Sequence, residues 1–368
     1  MFKNYNFKKI DLWLIILVEA ISILGVMVIG SADASYKDRQ LEGLIISTVA
    51  MIIVALVSYS FVLRFYWVIY FASIGILVMV RLFGDTGGGA ERWLEIGSFR
   101  FQPSELVKIL LILFYAQFIM KHEDNINTLR MILSCVGLVI PIFYLIFEQP
   151  DLSTSIMVLI IFASIMFIGG LSYKIVIGAI AVAVPSVIFA VNYLIRDDVG
   201  IINEFQKKRI LAWLHPEQYA ETEAYQTLNA ITAIGSGKLM GKGLNNNVIA
   251  SVKNGNFISE AQTDMIFAVV GEEMGFIGCC AVLGLLLLIV IRCIIVAIGA
   301  KDLAGTIIAG GMAAHIGFQT FINIGVVTGI LPNTGLPLPF VSYGLTSLVS
   351  LFIGIGFVLN VRLQSSDY

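Results

Sequence analysis

Charged residues are few. Asp, Glu, Lys and Arg make up 13% of the 368 residues against 58% that are hydrophobic. A soluble globular chain carries about 25% charged residues, so that class is excluded, and a mean hydropathy of +0.92 marks a chain that lives in lipid. Cysteine is nearly absent: Cys135, Cys279, Cys280 and Cys293 all fall within or beside apolar runs, with no metal-ligand spacing to the histidines. That excludes a disulfide framework and a zinc site. Neither sign of charge dominates, and a net charge of -2 gives no basis for a nucleic-acid partner. The weak alternating pattern of an outer-membrane barrel is missing, and no internal repeat supports the inverted symmetry of a secondary transporter.

What the chain has is long apolar runs. About ten are long enough to cross a bilayer. They run from Leu12 to Ile29, Leu44 to Ser60, Phe65 to Val80, Glu105 to Ile119, Met131 to Phe147, Ser155 to Gly170, Ile175 to Ile195, Met265 to Val296, Gly305 to Ile330 and Tyr343 to Val361. Lone strands would leave backbone groups unpaired in lipid, so the fold class is an all-α, polytopic membrane protein forming one domain over residues 1–368. With the N-terminus inside, Lys3, Lys8, Lys9, Arg64, Lys121, Arg130, Lys174, Arg292, Lys301 and Arg362 all face the cytoplasm. The short outer loops keep only Lys37, Arg39, Arg81, Arg92 and Arg100, an asymmetry that follows the positive-inside rule. Both termini are then cytoplasmic. The basic start followed by Ala32-Asp33-Ala34 mimics a signal peptide, but the first apolar run is too long for one and reads as a retained span.

The outer side carries the chemistry. A glycine-rich loop, Arg81 to Ser104, holds Glu91, Arg92, Trp93, Glu95 and Arg100; the largest outer loop runs from Arg196 to Gln262; and Gly329 to Gly344 is interrupted by Pro332, Pro337 and Pro339. Broken backbone at membrane depth is tolerated only against protein or a wet cavity. The large loop begins amphipathic, with Ile201, Phe205, Leu211 and Leu214 between Lys207, Lys208 and Arg209, the pattern of a helix on the outer interface.

Asp264 stands at the mouth of a strongly apolar helix, in the stretch Ser259 to Gly278. A carboxylate there is either the helix N-cap or a proton acceptor whose pKa is raised by burial. Glu260, Glu272 and Glu273 extend the acidic pattern around it, with Glu272 expected to face inward. Glu105 and Lys108 share one face of the fourth span at i, i+3, as a packing ion pair or as part of a cavity. Gly235-Ser-Gly-Lys238 and Gly241-Lys242-Gly243 form a turn or, through backbone N–H groups and the two lysines, a diphosphate cradle, though not a P-loop. Asp151 reads as an N-cap and Glu19 as a polar contact between helices.

The combination of Arg92-Trp93, Phe101-Gln-Pro-Ser-Glu-Leu-Val-Lys108, Gln149-Pro-Asp-Leu152, Tyr225-Gln226, Ile234-Gly-Ser-Gly237, Gly241-Lys-Gly243, Thr263-Asp264, Gly271-Glu-Glu-Met-Gly275 and Asn323 through Pro332 to Ser342-Tyr-Gly344 resembles the SEDS family. This is the shape, elongation, division and sporulation family that includes RodA, FtsW and SpoVE, and the match spans nearly the whole chain in order. The very short head and tail lean toward the RodA-like branch. The resemblance implies a peptidoglycan glycosyltransferase that polymerises lipid II at the outer face of the plasma membrane, with undecaprenyl pyrophosphate as leaving group. It implies a class B penicillin-binding protein, a transpeptidase, as partner. Asp264 takes the place of the family's essential acid, Glu105 and Lys108 that of its cavity acid and lysine, and Arg92 that of a phosphate or structural contact. Arg92, Lys108, Lys238 and Lys242 are then the cations available to the departing pyrophosphate, with a divalent cation, magnesium or manganese, left open as cofactor. A lipid II flippase is the alternative from another class. It would need a charge path to the cytoplasmic side, whereas the polar residues crowd the outer half.

Overall fold

The structure, a computed structural model, describes residues 5–87, 90–96, 99–149, 151–194, 204–245, 257–258 and 260–365. Its helices in chain order begin with α1 (Leu12–Ala32), α2 (Lys37–Leu56), a single turn α3 (Tyr59–Val62) and α4 (Tyr66–Phe83). They continue as α5 (Pro103–Lys121), α6 (Leu129–Glu148), α7 (Leu152–Ile168), α8 (Tyr173–Leu194), α9 (Glu204–Leu214) and α10 (Tyr225–Ser236). The last three are α11 (Ile266–Ile298), α12 (Leu303–Val327) and α13 (Leu345–Leu363). Among the described residues 8 helical segments are long and apolar enough to cross a membrane, and the apolar helices α7 and α8 account for the remaining expected runs. The molecule is a multi-pass membrane protein. Helix α2 starts at Lys37 rather than Leu44, because Lys37, Asp38 and Arg39 continue the helix beyond the apolar run.

Short polar side chains start these helices by accepting the otherwise orphaned N–H groups. Asp11 Oδ1 accepts from Leu14 N at 3.0 Å, Asp151 Oδ1 from Thr154 N at 3.0 Å and Asp302 Oδ1 from Gly305 N at 2.8 Å. Asp151 is thus the expected cap. Glu19 also meets its expectation, since the Thr48 hydroxyl on α2 donates to it at 2.8 Å. Asn6 N donates to Leu363 O at 2.9 Å, which brings the two ends of the chain to the same end of the bundle.

Burial is uneven. In α5 and α13 78% of the spanning window is buried, against 22% for the segment containing α4, so α5 and α13, with α12 beside them, form the centre of the bundle. One apolar core runs through all of them from Leu14 to Val361.

One loop departs from the all-α expectation. The residues before α5 form a small antiparallel sheet of β1 (Asp85–Gly87), β2 (Ala90–Ile96) and β3 (Phe99–Phe101), ordered β1-β2-β3, with Glu95 opposite Arg100. Pairing satisfies backbone groups that the glycine-rich sequence cannot place in a helix.

Candidate active site

Helix α5 opens with Pro103 at its first position, and this places Glu105 in the first turn, where the helix dipole favours a carboxylate. Lys108 Nζ donates to Glu105 Oε1 at 2.8 Å and to Gln319 Oε1 at 3.0 Å. Ser347 Oγ on α13 donates to Glu105 Oε2 at 2.8 Å. The pair expected from its spacing therefore forms, and it is enclosed: the Lys108 side chain is 0% exposed and that of Glu105 2%. Each charge is paired and further hydrogen-bonded, the condition under which a buried ion pair is tolerated.

Helix α12 supplies what the sequence reading did not single out. His315, Gln319 and Asn323 stand one turn apart on one buried face. Gln319 Oε1 accepts from Lys108 and from His315 Nε2, the latter at 3.0 Å, while Gln319 Nε2 donates to Pro337 O at 2.9 Å. Asn323 Nδ2 donates to Leu336 O at 2.8 Å and to the backbone carbonyl of Asp264 at 2.7 Å. The signal was there: three polar residues at helical spacing inside an otherwise apolar run, which lipid would not tolerate. Gln319 and Asn323 thereby reach carbonyls of the broken segment between α12 and α13, where Gly329 and Gly335 take φ of 76° and 73°. That segment is pinned further by Leu338 N to Ser342 Oγ at 2.7 Å, by the Ser153 hydroxyl on Thr334 O, and by Tyr343 N to Gln262 O at 2.8 Å.

Asp264 sits against this segment. A Cβ built on Gly335 would lie 3.9 Å from Asp264 Oδ2. The N-cap of α11 is Met265, with no side-chain cap bond, so the capping role open to Asp264 in the sequence is not taken up in the structure. Its Oδ1 accepts instead from the neighbouring Thr263 hydroxyl at 3.2 Å. The residue is half-buried. Desolvation by the surrounding protein pushes the carboxyl above its ordinary pKa, against the Thr263 hydroxyl, its own backbone and the Arg209 charge; Glu260 adds to the rise. A raised carboxylate within reach of solvent can accept a proton from a hydroxyl.

The acidic pattern around Asp264 divides. Glu260 is an exposed turn residue at φ 54° whose carbonyl accepts from Thr263 N at 3.0 Å. Glu272 faces inward as expected and takes Lys242 Nζ at 2.7 Å; Glu273 accepts from Ser31 Oγ at 2.6 Å. Both acids belong to a different structure, the docking of the Lys238 to Gly243 loop on α11. Lys242 N and Gly243 N donate to Glu272 O and Glu273 O, each at 2.9 Å, and Phe276 N donates to Lys238 O at 2.9 Å. The helix is broken there by Gly275 at φ 66°. A Cβ on Gly237, Gly241 or Gly275 would come within 1.9, 2.1 or 2.3 Å of backbone atoms across the contact. The glycines thus serve close approach of two backbones. The N–H groups of Lys242 and Gly243 point at helix carbonyls, which corrects the reading of this loop as an open diphosphate cradle. Lys238 remains exposed.

Helix α9 packs one face on the broken segment beside Asp264: Lys207 is buried, Arg209 Nη1 donates to Asn333 O at 3.4 Å and Trp213 Nε1 to Ile330 O at 3.2 Å. Arg92 lies in β2, and its side chain falls outside the described part of the structure. Among the described residues no three His, Cys, Asp or Glu side chains converge as a metal site.

The family model described as cell cycle protein, covering FtsW, RodA and SpoVE, matches residues 8–367. The peptidoglycan glycosyltransferase MrdB of Escherichia coli (strain K12) is 33% identical over 356 residues, covering 96% of this chain and 93% of that protein. Stage V sporulation protein E of Bacillus subtilis (strain 168) is 32% identical over 374 residues, covering 96% and 97%. Among solved structures, a chain from a peptidoglycan synthase complex that coordinates polymerization and crosslinking superposes with a TM-score of 0.79 at 28% identity over 96% of this chain and 97% of the other. The crystal structure of the Thermus thermophilus rod shape determining protein RodA matches with a TM-score of 0.71 at 27% identity, covering 98% of each. The chain belongs to the FtsW, RodA and SpoVE family of cell cycle proteins.

Proposed function

We propose that this chain is a peptidoglycan glycosyltransferase that polymerises lipid II into β-1,4-linked glycan at the outer face of the plasma membrane. The observation that carries the reading is Asp264: a carboxyl raised above its ordinary pKa, not used as a helix cap, and set beside a segment that α12 connects to the buried Glu105–Lys108 pair. In the reaction Asp264 takes the proton of the acceptor sugar's 4-hydroxyl as that oxygen forms a bond to the donor's anomeric carbon. The bond from that carbon to the pyrophosphate oxygen breaks, and its electron pair leaves on undecaprenyl pyrophosphate. Attack from the opposite face inverts the anomeric centre. Arg92 and Lys238 are the cations proposed to meet the leaving diphosphate, while Lys108 holds the geometry of the broken segment through Gln319 and Lys242 is matched by Glu272.

The orientation follows the basic residues, with both termini cytoplasmic and residues 196–262 outside. A class B penicillin-binding transpeptidase is the proposed partner, supported by the likeness to a chain of a synthase that couples polymerization to crosslinking. The test is the purified chain with that partner, given lipid II in detergent, the glycan resolved on a gel. Polymer from the native chain and none from Asp264→Ala is expected. Equal polymer from both defeats the assignment of Asp264, and no polymer from either, together with lipid movement in vesicles, turns the reading to the flippase.

A further inference from the structure

At the end of the bundle that holds both termini, a cleft of about 340 Å³ opens between α3, the last turn of α5 and the start of α12. Its floor is apolar, with Leu63, Met120 and Ala304, and its rim is basic, with Arg64 and Lys121. Neither rim cation makes an ion pair among the described residues; Lys121 Nζ lies over the Tyr66 ring at 4.5 Å. A third cation, Lys301, stands next to the cleft, donating to Ser60 Oγ at 3.3 Å and to Gln364 Oε1 at 2.9 Å over the Tyr59 ring. The one acid in the lining, Asp302, is already committed. Both its oxygens take the Tyr59 hydroxyl at 2.9 Å and Oδ1 also caps α12 at Gly305 N. With Arg64, Lys121 and Lys301 around a single carboxylate, the cleft carries an excess of positive charge above apolar side chains.

We propose that this cleft binds the phosphodiester headgroup of an anionic phospholipid of the inner leaflet. Arg64 and Lys121 bracket the phosphate, Gln117 and the Ser60 hydroxyl provide polar contacts, and Leu63 and Met120 meet the glycerol end of the acyl chains. A phosphomonoester or free phosphate shares the charge but lacks the apolar portion for which the floor is shaped. The placement in the inner leaflet rests on the orientation given above, whereas binding itself needs neither catalysis nor Asp264.

The test uses the full chain, delipidated in detergent, titrated with phosphatidylglycerol, phosphatidylcholine and inorganic phosphate, with binding read by native mass spectrometry. Phosphatidylglycerol is expected to bind in preference to the other two, and the double variant Arg64→Gln/Lys121→Gln to weaken it on the order of 30-fold. Lys174→Gln, which removes a cation outside the cleft, is expected to leave binding unchanged. Equal affinity for phosphatidylglycerol and phosphatidylcholine, or no change in the double variant, overturns the site. Saturable binding of inorganic phosphate that the double variant abolishes, without phosphatidylglycerol preference, overturns the lipid as its source. Labelling of single cysteines at the two ends of the bundle in intact cells tests the orientation separately.

Discussion

Two lysine–glutamate pairs, almost equal in length, do different work. Lys108 reaches Glu105 at 2.8 Å and Lys242 reaches Glu272 at 2.7 Å. The first pair is closed off and hydrogen-bonded to side chains on two other helices, Gln319 and Ser347, of which Gln319 in turn holds the irregular segment beside Asp264 at Pro337 O. The second is open on the lysine side, 27% exposed, and it accompanies a ladder of backbone bonds that would anchor the loop to α11 without it. A short distance between opposite charges therefore says little about their role. What separates the two pairs is whether the neighbouring bonds lead to a site or only to the pair's own backbone.

Breaking one partner of each pair should expose the contrast. Lys108→Ala leaves Glu105 buried with only the Ser347 hydroxyl and is expected to cost about 3 to 5 kcal/mol of stability, read by denaturation in detergent. Replacing both members, Glu105→Gln with Lys108→Met, is expected to recover most of that loss while activity stays low, because Gln319 would no longer be held against Pro337. If activity returned with stability, the pair would be packing alone.

The backbone ladder comes next in size. Gly241→Ala puts a Cβ at φ 76°, 2.1 Å from Glu273 O, and should cost about 1 to 3 kcal/mol with no change in lipid II affinity. Lys242→Gln is expected to cost about 1 kcal/mol, since the ladder stays intact and the amide can still donate to Glu272. A large loss of turnover from Lys242→Gln at unchanged stability would instead restore Lys242 to the diphosphate.

The smallest effect sought is a shift in pH dependence. Because the proton acceptor works only when ionised and the Asp264 pKa is raised, polymerisation should fall on acidification through a value above the ordinary carboxylate pKa of about 3.9. Removing Glu260, the like charge that adds to the rise, should move that limb toward lower pH.

Much of this architecture was legible in the residues, for physical reasons. Apolar runs of spanning length cannot be anything but helices in lipid, and Glu105 and Lys108 at i, i+3 can hardly avoid each other. Asp151 after a proline marks a helix start. The rest depended on contacts between segments far apart in sequence. His315, Gln319 and Asn323 have helical spacing, but the partners of Gln319 and Asn323 are carbonyls of residues 336, 337 and 264, which only the fold brings together. Nor does Gly241 announce that it faces Gly275. The same glycines that could cradle a phosphate allow two backbones to touch, and composition alone does not distinguish these. The short sheet before α5 escaped because each strand is too short to give a pattern above that of a loop.

The central claim is that the Asp264 carboxylate accepts the proton of the attacking hydroxyl. Its most direct test is the initial rate of lipid II polymerisation by the native chain and by Asp264→Asn, each with the proposed transpeptidase partner and each shown to melt at the same temperature. The amide keeps the size and can still accept from the Thr263 hydroxyl, but it cannot take the proton. The account predicts a fall of about 10² to 10⁴ in rate. A variant that polymerises within about tenfold of the native chain, a smaller loss than a missing general base brings, would contradict it.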